Sequence, residues 1–81
     1  MNRQRFEELI DCGHEIEFEY SGKRFSITYY EPQGSKLISF CEFYKEPTDV
    51  KSFEDLCNVE RYGVKVIDMI ESISDDAIDV F

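Results

Sequence analysis

With 81 residues, the chain is long enough for one domain with one small hydrophobic core. A composition that is 42% hydrophobic and 15% aromatic excludes an intrinsically disordered protein. Eighteen acidic residues against nine basic ones give a formal charge of −9, which disfavours direct binding to nucleic acid or to an anionic membrane surface. The charge favours either a basic protein partner or a purely solubilising role.

A short amphipathic helix is predicted for residues 3–12, because apolar side chains recur there at i, i+3 and i+4 from Phe6. Asn2 is the candidate N-cap of this helix. Gly13 follows at the place where a residue in the left-handed conformation ends many helices. We therefore expect the chain to change direction immediately after the helix.

The next segment, His14 to Tyr20, alternates apolar with acidic residues, which is the period of a half-buried strand. Its apolar members are expected to face a core, and Glu15, Glu17 and Glu19 are expected to line the other face. At a rise of ~3.3 Å per residue, the three carboxylates start about 6.6 Å apart. This strand is the element around which the rest of the chain is organised.

Ser21-Gly22 is the predicted turn between this strand and a second strand over residues 24–30. A two-residue turn places Glu19 opposite Arg24 and matches every facing pair in polarity, as a correct register requires. Because Ser-Gly is a weaker two-residue turn than Asn-Gly, a longer loop is the alternative.

A third antiparallel strand is predicted over residues 37–44, after the turn cluster at 31–35. A turn at Gln33-Gly34 gives this strand one register, and a slip of one residue exchanges its two faces. In both registers the strand is apolar on both faces, so one face must be covered or bound. The residues that the first register turns outward are Tyr30, Leu37, Cys41 and Phe43.

A loop is predicted over residues 46–49. Ser52 and Asp55 then have the spacing of a capping box in its Asp form, which predicts a short helix starting at residue 53. A second helix is predicted over residues 64–73, where apolar residues recur at i, i+3, i+4 and i+7.

The tail, residues 77–81, alternates weakly between apolar and polar side chains. This pattern favours a terminal edge strand over a last helical turn. The predicted fold is thus a single acidic α+β domain over residues 1–81, with the element order α-β-β-β-α-α. A three-stranded antiparallel meander has its N-terminal and C-terminal helices on one face, and the other face is left to solvent or a partner.

No metal, cofactor or enzymatic activity is expected. Cys12, Cys41 and Cys57 lack the close pairing of zinc ligands such as C-x2-C and are interpreted as thiols. His14, the one histidine, is better explained as a polar residue at a strand start than as a base for Cys12. Residues 1–10 lack the apolar core of a signal peptide, so we expect a cytoplasmic protein.

Two groups of acidic residues are candidates for contact with a partner, although a solvated face is the commoner explanation for such groups. In the first group, Glu15, Glu17 and Glu19, only Glu19 has an obvious cross-strand cation, Arg24. The second group lies on and after the last helix and consists of Asp68, Glu71, Asp75, Asp76 and Asp79. Tyr30 and Phe43, together with Leu37 and Tyr44, are expected to form a modest apolar patch beside the carboxylates.

In size, acidity and αβββα order, the chain resembles small acidic proteins carried by phages and mobile elements. Some of these proteins, including several anti-CRISPR proteins, inhibit a nuclease by imitating DNA. The resemblance implies a non-enzymatic inhibitor, a monomer or weak homodimer, that binds a basic protein such as a CRISPR nuclease. The alternative is a small structural or self-associating domain whose acidity serves only solubility.

Overall fold

The computed structural model describes all 81 residues and shows an α+β fold built on a five-stranded antiparallel sheet of order β4-β3-β2-β1-β7. Two further strands form a separate hairpin, β5-β6. The helices are α1 (Arg3–Asp11), α2 (Phe53–Asn58) and α3 (Val66–Glu71). The strands are β1 (Ile16–Tyr20), β2 (Lys23–Tyr30), β3 (Leu37–Glu42), β4 (Thr48–Val50), β5 (Glu60–Arg61), β6 (Val64–Lys65) and β7 (Ile78–Val80).

The meander β1-β2-β3 has the predicted register. Tyr20 pairs with Lys23, and the two residues between them both take positive φ, 54° and 78°, as a two-residue hairpin turn of this type requires. Ile27 pairs with Phe40 in the next ladder. The longer first loop and the slipped third strand are therefore excluded.

Two edge strands widen the predicted three-stranded meander to five strands. The tail strand is confirmed, because β7 pairs with β1. The predicted loop at 46–49 is wrong in its second half, because β4 pairs with β3 and brings Val50 opposite Ile38. A strand of three residues is too short to show a period of two, and this one forms through contact with β3.

The predicted helix over 64–73 is two residues shorter than expected at each end, since α3 spans Val66–Glu71. Tyr62 and Gly63 take positive φ, 54° and 77°, and form the tight turn of the β5-β6 hairpin, so Val64 belongs to a strand. Helix α3 begins only at Val66, whose backbone N–H donates to the carbonyl of Val59 at 2.9 Å. The apolar spacing of this segment fits a helix, but its first two residues form strand β6 of the hairpin.

Both predicted N-caps are present. Asn2 Oδ1 accepts a hydrogen bond from the Arg5 N–H at 2.8 Å, and Ser52 Oγ accepts one from the Asp55 N–H at 3.1 Å. These bonds satisfy backbone donors that a helix start leaves free. Helix α1 then ends two residues before Gly13, which has φ 75°. None of the three helices is long and apolar enough to cross a membrane.

A single hydrophobic core lies between the helices and the inner face of the sheet. Three fully buried phenylalanines, Phe18, Phe25 and Phe40, come from adjacent strands and stack with ring centroids 5.5 and 5.4 Å apart along the row. Helix α1 contributes Phe6 to the same core, and helix α3 contributes Met69. All three helices pack on this side, so the outer face of the sheet has no helical cover.

The Met1 ammonium group joins the first helix to the end of the last one. It donates to the carbonyl oxygens of Ile70, at 3.1 Å, and of Ile73, and it lies 3.5 Å from the Asp75 carboxylate. The last carbonyls of a helix have no partner within the helix, and a cation there interacts favourably with the helix dipole. This contact fixes the position of α3 relative to α1.

Candidate functional site

Strand β1 divides its side chains between the core and the outer face as predicted. Ile16 and Phe18 are fully buried, Glu15 and Glu19 are exposed, and Glu17 is half-buried. The period of two therefore produces a dry side and an acidic side on one short strand. The three glutamates are the start of the candidate site.

Arg24 is the cation on this part of the outer face. It lies opposite Glu19 in the β1-β2 ladder as predicted, but its guanidinium group pairs with other carboxylates. Its Nη2 lies 3.3 Å from Glu17 Oε1 and 3.2 Å from Asp79 Oδ2, and it forms no salt bridge with Glu19. The reason is the pairing of β7 with β1, which places Asp79 directly opposite Glu17. Two neighbouring carboxylates attract the guanidinium group more strongly than one carboxylate does.

The acidic side of β1 is only partly neutralised by the fold. Four carboxylates lie here, those of Glu17 and Glu19 on β1, Asp79 on β7 and Glu15 directly before β1, and one guanidinium group lies among them. Glu15 and Glu19 form no salt bridge with any cation of the chain. This set of four carboxylates is called the acidic row below.

The middle of the outer face is polar and uncharged. Cross-strand pairing places Thr28 beside Ser39, and Ser39 beside Asp49 on the edge strand β4. Ser39 is only 8% exposed because it lies between two neighbouring strands. Small side chains here leave a flat surface with the acidic row along one edge and Asp49 at the other.

The two aromatic residues predicted for this face lie at opposite ends of it and do not form one patch. Tyr30 pairs with Leu37 where β3 begins, and its hydroxyl donates to Asp49, a bond that raises the Tyr30 pKa. Phe43 follows the end of β3, and the Arg24 guanidinium carbon lies 5.7 Å from its ring centroid. Tyr44 packs edge-on against Phe43 and is fully exposed.

The second predicted acidic group does not join the first. Asp68 and Glu71 lie on the exposed side of α3, which packs on the inner face of the sheet, so the core separates them from the acidic row. Asp75 is paired with the Met1 ammonium group, and Asp76 is exposed in the short 3-10 turn that precedes β7. Of this group, only Asp79 lies on the outer face, because β7 pairs with β1 and places it opposite Glu17. The weak alternation of the tail is the one sequence signal for this position.

The histidine and the cysteines have structural surroundings. His14 Nδ1 lies 2.9 Å from the Phe81 carbonyl oxygen, which ties the end of β7 to the start of β1. All three cysteines are free thiols, as predicted, and burial raises the pKa of the Cys57 thiol to about 11. No group of three or more His, Cys, Asp and Glu side chains is arranged to hold a metal ion.

The largest cleft, about 280 Å³, opens on the inner side of the sheet between α1 and the start of α2, where Lys36 and Lys51 line it. Tyr29 forms one wall, and its hydroxyl donates to the His14 carbonyl at 2.7 Å. Burial, and then the charges of Glu15 and Asp11, raise the pKa of Tyr29 to about 12. The cleft lies on the inner side of the sheet and is not part of the acidic row, but the negative charge of Glu15 contributes to the raised pKa of Tyr29 in its wall.

Comparison of this chain with protein-family models, with curated proteins and with solved structures finds no match. The chemistry of the outer face is therefore the basis for a function. That face combines an uncovered polar sheet surface, the four carboxylates of the acidic row, and a single guanidinium group among them.

Proposed function

We propose that the chain is a non-enzymatic binding module whose acidic row engages a basic, nucleic-acid-binding site on a partner protein and inhibits that partner as a DNA mimic. The observation that carries the proposal is the exposure of Glu19 on β1 and of Glu15 directly before it, without a cation of the same chain to pair with.

The arrangement of charge along β1 supports mimicry of a nucleic acid strand. Glu15 and Glu19 are four residues apart, about 13 Å at ~3.3 Å per residue. With Glu17 between them, the carboxylates start about 6.6 Å apart in one row, which is sparser than the one charge per ~3.4 Å of a DNA strand. The row still offers basic residues a line of negative charge on an ordered backbone, as the phosphates of a DNA strand do.

The energetics of the row also favour a role in binding. Like charges on one face of a sheet repel, and two carboxylates about 6.6 Å apart in water repel by roughly 0.6 kcal/mol at low salt. The fold obtains little stability from Glu15 and Glu19 in return, since neither has a salt bridge. Such charges accelerate association with a basic partner, and salt weakens that association.

A pair of triple variants with the same net charge tests the proposal. The first carries Glu15→Gln, Glu17→Gln and Glu19→Gln on the outer face. The second carries Asp68→Asn, Glu71→Gln and Asp76→Asn on the helical side. Each removes three of the nine net negative charges, so a difference between them reports location rather than total charge.

The immobilised proteins are mixed at low salt with a lysate of the cell that encodes the chain, then washed with duplex DNA. We expect the wild type and the helical-side variant to retain a nucleic-acid-binding protein that DNA or ~0.5 M salt displaces, because added salt screens the charges. The outer-face variant should fail to retain it, and affinities measured with the purified partner should follow the same order. If both variants retained the partner protein equally, or if neither DNA nor salt displaced it, the proposal would be wrong and the acidity would serve solubility only.

A further inference from the structure

Strand β7 is an edge of the sheet with free backbone groups. It pairs with β1 on one side only, and the Phe81 N–H donates to the Glu15 carbonyl at 2.9 Å. In an antiparallel ladder, alternate residues direct both their N–H and C=O groups toward the partner strand. Phe81 and Asp79 therefore face β1, and Ile78 and Val80 direct their backbone N–H and C=O groups away from the sheet.

Exposed apolar side chains lie at the same edge. Val80 is 42% exposed and Phe81 is 64% exposed, although Val80 is on the core side of the sheet opposite Ile16. The opposite edge is better protected, because β4 follows Pro47 and its Thr48 hydroxyl accepts a hydrogen bond from Arg61 of the β5-β6 hairpin. Proline and covering elements are common means of blocking an edge strand.

We infer that the basic partner binds by adding a strand to β7, and that the added strand alternates basic with apolar residues. The alternate side chains of such a strand fall on opposite faces of the extended sheet. Its basic residues then lie beside Asp79, with the glutamates of the acidic row one strand further away, and its apolar residues cover Val80 and the end of the core. This inference rests on the proposed function and specifies the segment of the partner that the site recognises.

A second copy of the chain fits this edge poorly. Antiparallel pairing of two β7 strands about a two-fold axis brings the two Asp79 residues together and sets the Glu17 side chains nearby. Like charges placed opposite each other across a ladder destabilise it. Each copy also has a formal charge of −9, which opposes association over a longer range. A basic strand meets neither obstacle.

The probe for this inference is a synthetic peptide of four alternating Lys-Val repeats, and its control is a peptide of the same composition with the lysines grouped together. Val80→Pro removes the outward N–H of β7 without removing a hydrogen bond to β1, which edge strands tolerate. Val80→Thr is the matched control, because it keeps both the N–H and the β-branched side chain. Titration calorimetry at low salt measures each affinity.

We expect the alternating peptide to bind the wild type and Val80→Thr equally, and to bind Val80→Pro at least about tenfold more weakly, because an edge hydrogen bond and close approach are lost. The grouped peptide should bind all three proteins weakly and equally. N-methylation of alternate amides in the probe removes its donors and should weaken binding to the wild type, even if Val80→Pro fails to fold. Slower amide exchange at Val80 in the complex should accompany binding.

The inferred strand addition is wrong if both peptides bind equally, or if neither Val80→Pro nor N-methylation weakens binding of the alternating peptide. The triple glutamine variant in the same titration separates the two proposals. If that variant weakens binding and the edge changes do not, the acidic row binds a basic partner by another geometry. If no change weakens binding, both the added strand and the acidic row fail.

Discussion

On β1, Ile16 and Phe18 are fully buried, whereas Glu19 on the same strand and Glu15 directly before it are exposed without a cation of the same chain. The inner face of the sheet is held by stacked aromatic rings and accounts for the fold. The outer face has little packing and an excess of one charge. Substitutions on the inner face should therefore change stability, and substitutions on the outer face should mainly change binding.

Truncation of Phe18 to alanine should give the largest effect. The ring stacks on Phe25 and contacts Phe40, with centroids 5.5 and 6.4 Å away, so its removal leaves a cavity in the middle of the core. We expect a loss of about 3–5 kcal/mol in the free energy of unfolding, measured by urea denaturation. A domain of this length has only about 4–12 kcal/mol in total. A loss below about 1 kcal/mol would show that the inner face is not the source of stability.

Replacement of Arg24 by methionine should give a smaller loss, about 1 kcal/mol, because Glu17 and Asp79 then face each other without a cation. The loss should shrink as salt is added, since salt screens the new repulsion. Arg5→Met is the control, because Arg5 pairs with the single exposed carboxylate of Glu8. Equal losses for the two variants, at every salt concentration, would contradict the shared pairing of Arg24.

Raising the pH above 10 should lower the free energy of unfolding, because Tyr29, near the end of β2, has a raised pKa. Burial raises the pKa of Tyr29 from 10.0 to about 12, so the unfolded chain releases this proton first. The stabilising contribution is complete below pH 10 and is lost as the pH rises toward 12. Burial also raises the pKa of Cys57, to about 11, so this thiol contributes to the same loss of stability in the wild type and in Tyr29→Phe. In Tyr29→Phe the free energy of unfolding should therefore fall less steeply with pH over this range; an identical slope would exclude Tyr29.

The parts of the fold that sequence reasoning predicts correctly are those specified by neighbouring residues. The β1-β2-β3 register follows from matching polarity across two turns, and both helix N-caps follow from local spacing. The missed elements depend on distant contacts or on ambiguous spacing. Strand β4 has three residues and forms against β3, and the residues before α3 fit a helix as well as the hairpin that they form.

Of the candidate site, the sequence predicts the three glutamates but not the salt bridges that Arg24 forms. Alternation along β1 is sufficient to place Glu15, Glu17 and Glu19 on one face. Arg24 pairs with Glu17 rather than Glu19 because Asp79 lies beside Glu17. Asp79 is distant in sequence and comes next to Glu17 only through the pairing of β7 with β1. The alternation of the tail favours a strand, but it does not specify that this strand pairs with β1.

The central claim is that the outer face carries carboxylates that the fold does not neutralise. The most direct test compares the unfolding free energy of the double variant Glu15→Gln, Glu19→Gln with that of Glu8→Gln, Glu54→Gln, whose carboxylates pair with Arg5 and Arg3. At ~10 mM salt the outer-face variant should gain about 0.5 kcal/mol, and the gain should vanish near 1 M salt, where the Debye length is about 3 Å. The paired variant should show no gain. A loss of stability in the outer-face variant at low salt would contradict the claim.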